Sequence, residues 1–243
     1  MNLFNHITIL AQLTNGQVFS HGTERSGTQI LSVNPELGLI AMALGDDLSN
    51  NAPAPKSIEI LLDDIELNLG ANERRAVPLV NESLATLCLR ESVDNINEYL
   101  FSSTHQNQNQ GSGKGVGLAA MLLLKNQLCY FATSDIYSFL FKGNQLSHLI
   151  EPTDTDSTRQ IGEDKAVQPE VVAREYSSGD ILVMISAQGL NALGPDFIRV
   201  TLSRFEGNLE MALRQMTIRM RRSGSEQNPA LILCHINSVG NEK

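Results

Sequence analysis

The sequence is short of cysteine, of positive charge and of long apolar runs. Its three cysteines, Cys88, Cys129 and Cys234, stand far apart inside apolar stretches. An odd count with no paired spacing excludes a disulfide framework and a thiolate zinc site, and leaves them as small buried hydrophobes. Free thiols lead to the expectation of a reducing, cytoplasmic compartment. Lysine and arginine number 18 against 27 aspartates and glutamates, a net charge of -9. A general nucleic-acid binder needs a basic face for phosphates, so that class is excluded. The longest apolar run, Val116 to Leu124, falls well short of the ~20 residues that span a bilayer. MNLFNHITILAQL has neither a basic n-region nor a small-residue cleavage site, so no secretory signal is expected.

What is present suits a globular fold. Hydrophobic residues make up 42% of 243, enough for a sizeable core in one large domain or two small ones, and with no clean linker the expectation is one domain over residues 1–243. HITILAQL and QVFS flank Thr14-Asn15-Gly16, a hairpin pattern, and TQILSVN and GLIAMAL follow as strands. GDDLSNNAPAP reads as a loop. Ser57 is placed to cap a helix with the stripe Ile58, Leu61, Leu62, Ile65, and Pro78 opens a second helix over 79–99. Residues 102–115, SSTHQNQNQGSGKG, read as a loop, as do 151–168. VGLAAMLLL, QLCYFAT, IYSFLFK, QLSHLI, EVVARE, DILVMIS and ALILCHI read as strands. Tight turns fall at Asn126-Gln127 and Gly143-Asn144, and Leu209, Ala212, Leu213 and Met216 share a helix face. Short turns between strands predict antiparallel sheets covered by helices, an α+β layered sandwich. Arg214, Arg219, Arg221 and Arg222 fit the solvated face and C-terminal end of that last helix, where cations suit the dipole.

Most chemistry-bearing patterns fail on spacing. GSGKG (111–115) lacks the four-residue gap and the Ser or Thr of a phosphate loop. His6, His21, His105, His148 and His235 form no helical i, i+4 metal pair. Ser186 is not in a G-x-S-x-G elbow. Asp46-Asp47 directly follow a strand, where oxygen ligands could take Mg2+ or Mn2+, although aspartates in a solvated turn are commoner. VMISAQGLNAL, from Val183, is a strand that runs into a Ser-Ala-Gln-Gly turn whose polar group is the neutral amide of Gln188.

Taken together, the segments from Thr23 to Ile236 resemble the PP2C-type, metal-dependent Ser/Thr protein phosphatases. GVGLAAMLLL and QLCYFATSDIYSFLF are similar to the family's Gly-Thr-Thr strand and its Ala-Asn-x-Gly-Asp-Ser-Arg hairpin. IGEDK, SSGDILVMISAQGL and RRSGSEQNPALILCHI are similar to its Ile-Gly segment, its Gly-Asp and Ser-Asp-Gly-Leu turn, and its closing Gly-Ser-x-Asp-Asn-x-Thr strand. The resemblance implies a four-layer αββα sandwich of two antiparallel sheets flanked by helices. It implies two Mg2+ or Mn2+ ions on aspartates, activating a water that attacks a phosphoryl group.

Carried over position by position, the ligands are missing. Arg25-Ser26-Gly27-Thr28-Gln29-Ile30 places Ile30 at the first aspartate, and Leu44-Gly45-Asp46-Asp47-Leu48 places Leu44 at the second, before Gly45. The third falls at Gln188, or at Ala187 by the spacing from Gly179-Asp180, and the fourth at Gln227, before Asn228. Asp135 matches the aspartate of the Gly-Asp-Ser-Arg hairpin, and Arg25 the phosphate-holding arginine. Clustered aspartates repel unless cations are present, whereas each buried Ile or Leu contributes about 1.5–3 kcal/mol. The expectation is a pseudophosphatase with no metal. It would bind a protein partner in Ser/Thr phosphorylation signalling, such as a kinase, a phosphoprotein or a secretion or signalling assembly, through loops at 46–56, 102–115 or 151–168. The alternative is a divergent phosphatase of weak activity that holds Mn2+ or Mg2+ on Asp46, Asp47 and Asp135.

Overall fold

The computed structural model describes residues 7–12, 18–26, 28–46, 49, 52–72, 83–106, 115–124, 127–133, 135–150, 160–165, 170–223 and 229–237. Two six-stranded antiparallel sheets stack face to face. In chain order the first strands are β1 (Ile7–Gln12), β2 (Val18–Phe19), β3 (Gly22–Ser26), β4 (Gln29–Asn34) and β5 (Leu39–Leu44). Helices α1 (Pro53–Asn72) and α2 (Leu84–Gln106) follow, then β6 (Gly117–Leu124), β7 (Gln127–Ala132), β8 (Ile136–Lys142), β9 (Gln145–His148), β10 (Val172–Glu175) and β11 (Ile181–Ser186). The chain continues with α3 (Ala187–Leu193), α4 (Pro195–Arg204), α5 (Leu209–Arg222) and β12 (Leu231–Ile236). One sheet runs β2-β1-β12-β11-β8-β9 and the other β10-β7-β6-β5-β4-β3.

Three apolar clusters stack through the molecule. Between the sheets, Leu31, Val33, Ile40, Met42, Met121 and Tyr130 meet Leu182, Met184 and Ile232. Outside the β4-containing sheet, Ile30, Ala41, Leu118 and Phe131 receive α1 and α2 through Ile58, Leu61, Ile65, Leu89 and Ile96. Outside the β11-containing sheet, Phe139, Val183 and Leu233 receive α3, α4 and α5 through Leu193, Ile198, Leu202, Leu213 and Met216. The order of layers is therefore helices, sheet, sheet, helices, as the resemblance implies. Strands buried on both faces read as near-continuous apolar runs, as β5, β6 and β11 (LIAMAL, GLAAMLLL, ILVMIS) do up to the closing Ser186 of β11.

Turn chemistry fixes the register. Asn34 Oδ1 accepts from the Glu36 and Leu37 N–H groups, each at 3.1 Å, and closes the β4–β5 turn. Gly143 and Asn144 both take positive φ, 55° and 65°, the primed turn that a two-residue hairpin requires, here joining β8 to β9. β1 pairs with β2 as the hairpin pattern predicts, but the turn at residues 14–16 lies outside the described residues.

Several element bounds differ from the sequence reading. Ser57 is not a cap: α1 opens four residues earlier at Pro53, whose fixed φ suits a first turn, and the Ser57 hydroxyl donates back to the Pro53 carbonyl at 2.8 Å. Residues 53–56 are therefore helix, not loop. The second helix is described over 84–106 and runs past the expected end at 99, so residues 102–106 continue α2; Pro78, residues 79–82 and residues 107–114 of the expected loop lie outside the described residues. β3, α3 and α4 are additions. α4 starts at a Gly194-Pro195 step with Pro at its first turn.

Candidate functional site

One end of the sandwich gathers most of the candidate positions. The chain passes from β7 in one sheet to β8 in the other through residues 133–135 alone. Thr133 secures this crossing: its hydroxyl accepts from Leu118 N at 2.7 Å and donates to Leu118 O at 3.1 Å. In one sheet this end carries Gly117, paired with Leu44, which is paired in turn with Gln29. In the other it carries Ile136, paired with Ser186, and Leu231, paired with Ile185. Leu44, Gly45, Asp135 and Gln188 therefore lie at the same end.

Ser186 locks the turn that opens this end. It is fully buried and caps α3, its hydroxyl accepting from Gly189 N at 3.3 Å and from Ala230 N at 3.1 Å. Its own N–H donates to Ala230 O at 3.1 Å. Gly189 must be glycine, since a Cβ there would lie 2.8 Å from Ile185 Cγ1. Across the turn, the Ala187 N–H donates to the Asp135 carbonyl at 2.7 Å. Asp135 itself is exposed, with φ 69°, the left-handed region that favours glycine. Gln188 is half-buried in the first turn of α3.

The space between the sheets here is lined by hydrocarbon. Ile136 and Ala230 belong to the inter-sheet core, and Leu44 and Ala132 pack against it. One polar side chain enters from β4. Gln29 lies on the same strand face as Leu31 and Val33, both in the inter-sheet core, and is 2% exposed. Its Oε1 is buried with no hydrogen-bond partner among the described residues.

The same strand geometry places Ile30 and Arg25 on the other face of the sheet. Ile30 is wholly buried, but on the opposite face of β4, under α1 and α2. It does not meet Leu44 in the space between the sheets, and Gln29 takes that place. Arg25 pairs directly with Ile30, so its exposed side chain leaves from the helix-covered face as well. Asp46 is exposed just beyond Gly45, whose N–H donates to Thr28 O at 2.9 Å. Asp47 and Gln227 lie outside the described residues.

A hard dication takes charged oxygens and keeps several waters. Among the described residues no three His, Cys, Asp or Glu side chains are grouped to hold a metal ion. Among the described residues, the groups that face the space at this end, the neutral amide of Gln29 and alkyl chains, do not fit one. Burial also removes the thiols from chemistry, pushing Cys88 up to about 11 and raising Cys234 above its ordinary value.

This architecture is the fold of the PP2C-type Ser/Thr phosphatases. It aligns with PppA, described as a key regulatory component of T6SS in Pseudomonas aeruginosa, at TM-score 0.69 and 15% identity over 96% of this chain and 98% of that one. The catalytic domain of the serine threonine protein phosphatase PstP in complex with two manganese ions aligns at TM-score 0.66 and 14% identity, covering 94% and 97%. The S. agalactiae serine/threonine phosphatase aligns at 0.71 and 15%, covering 95% and 98%. No protein-family model and no curated protein matches the sequence. No helix among the described residues is long and apolar enough to cross a membrane.

Proposed function

We propose that this chain is a pseudophosphatase: a single PP2C-like domain that binds a protein and hydrolyses no phosphoester. The observation that carries this reading is the facing of Gln29 and Leu44 at the inter-sheet end, where a two-metal centre would need anionic oxygens. The φ of Asp135 supports a one-residue revision of the hairpin match. Over Ala132-Thr133-Ser134-Asp135-Ile136, Asp135 then stands for the glycine and Ile136, 5% exposed and apolar, for the aspartate. PppA, a regulatory component of T6SS with the same architecture, supports the idea that such a fold can work through partners. The partner we infer is a protein of Ser/Thr phosphorylation signalling, a kinase or a phosphoprotein, met in the cytoplasm. Buried, unpaired thiols in the described core suit a reducing compartment.

Turnover tests this. The purified chain with millimolar Mn2+ or Mg2+ should hydrolyse p-nitrophenyl phosphate and a phosphothreonine peptide no faster than buffer. Turnover abolished together by Asp46→Asn, Asp47→Asn and Asp135→Asn would establish the divergent phosphatase instead.

A further inference from the structure

The two outer helical layers carry opposite charge. α1 and α2 hold Lys56 and Arg90 against seven carboxylates. The layer from α3 to α5 holds Arg199, Arg204, Arg214, Arg219, Arg221 and Arg222 against Asp196, Glu206 and Glu210, an excess of three positive charges on a chain of net charge -9. Half of the twelve arginines are in this layer and none of the six lysines. Helix dipoles account for cations in the last turns of α4 and α5. They do not account for Arg214 in the body of α5, nor for what surrounds the cations. The Arg219 guanidinium lies 4.3 Å from the Phe197 ring centroid and Arg204 5.5 Å from that of Phe205. Val200, between them on α4, is 50% exposed. Solvation alone is served as well by lysine. Arginine held over aromatic rings beside an exposed apolar side chain is the composition of interface centres, because less side-chain freedom is left to lose on binding.

We infer that the α4–α5 face is a docking surface for an acidic protein segment that also presents an apolar side chain. Its carboxylates would meet the Arg204, Arg214 and Arg222 guanidiniums, and its apolar residue would cover Val200 and Phe197. The charge of the remaining surface steers such a segment to this face by repulsion elsewhere. This rests on the reading that the chain works by binding a protein, and is independent of whether it turns over phosphoesters.

The test uses the full chain and a fluorescein-labelled amphipathic peptide of about 20 residues, with glutamate on one face and leucine on the other. Anisotropy should report binding that weakens as salt rises. It should be lost when the glutamates are glutamines, and weaken at least tenfold in R204E/R214E/R222E. The triple lysine variant should hold part of the affinity, and Val200→Ser should lower it with all charges intact. Thermal melts of each variant establish folding. Affinity unchanged by the charge reversal overturns the inference. So does stronger, reversal-sensitive binding to phosphatidylserine vesicles, or reversal-sensitive self-association in sedimentation equilibrium. Phosphoester turnover would overturn the pseudophosphatase reading and leave the peptide result standing.

Discussion

Asn97 on α2 holds the backbone of Gly162: its Oδ1 accepts from the Gly162 N–H at 2.8 Å, and its Nδ2 donates to the Asp164 and Lys165 carbonyls, each at 3.1 Å. One amide, 4% exposed, satisfies three backbone groups of a chain segment more than sixty residues away. That segment also bridges to Val116, the residue before β6, with Val116 and Ile161 exchanging N–H···O bonds at 2.9 Å each way. Asn97→Ala leaves those groups unpaired, and should cost about 2–4 kcal/mol, more than one ordinary hydrogen bond. Urea denaturation reads this as a lower midpoint at unchanged slope. Gly162→Ala should be destabilising by a comparable amount, because its Cβ would lie 2.6 Å from Leu100 Cβ at φ 88°.

Ser186→Ala removes the acceptor of two buried N–H groups, those of Gly189 and Ala230. Loss of a cap alone costs about 1 kcal/mol, and an orphaned buried donor adds about 1–3 kcal/mol. The midpoint should fall accordingly. Hydrogen exchange should quicken at Gly189 and Ala230 before it does in β6.

Much of this architecture is legible in the sequence, and the failures have identifiable causes. VGLAAMLLL and DILVMIS are legible as strands because apolar runs of that short length, bounded by turn residues, suit a strand buried on both sides. That same property hides which way each side chain points. β4, QILSVN, is buried at Gln29, Ile30, Leu31, Ser32 and Val33 alike, so no polar–apolar alternation marks its inner face. A motif alignment thus selects Ile30, while the fold turns Gln29 inward. α3 and α4 are hidden in the sequence because Gly194-Pro195 reads as a turn, yet it ends one helix and begins the next. The role of Asn97 is hidden too, because its partner segment is distant in sequence.

Gln29→Leu should leave stability unchanged or raise it by up to about 2 kcal/mol, since it replaces a buried carbonyl that has no partner among the described residues. Differential scanning calorimetry checks this. A fall of several degrees would mean that the amide has a partner in the native state.

The thiols should be silent in the native protein. Cys88, Cys129 and Cys234 are buried, so a thiol reagent near neutral pH should label them only at the rate of opening, and all three promptly in urea. Stability should also fall in alkali. The unfolded Cys88 thiol ionises near 9.0, whereas burial holds the folded one protonated to about 11. Above 9.0 the unfolded chain binds fewer protons, so this thiol's share of stability, intact below that value, is lost as pH rises toward 11. The urea midpoint, followed from neutral pH up to about 11, should fall less steeply in Cys88→Ala.

The most direct measurement is a thermal melt of the full chain with EDTA and with millimolar Mn2+. A ligand that binds only the native state stabilises by about 2.7 kcal/mol at a hundred times its Kd, several degrees for a chain of this size. With Gln29 and Leu44 facing the space between the sheets, the two curves should coincide. A midpoint raised by several degrees in Mn2+, and returned by Asp46→Asn or Asp135→Asn, would contradict the account.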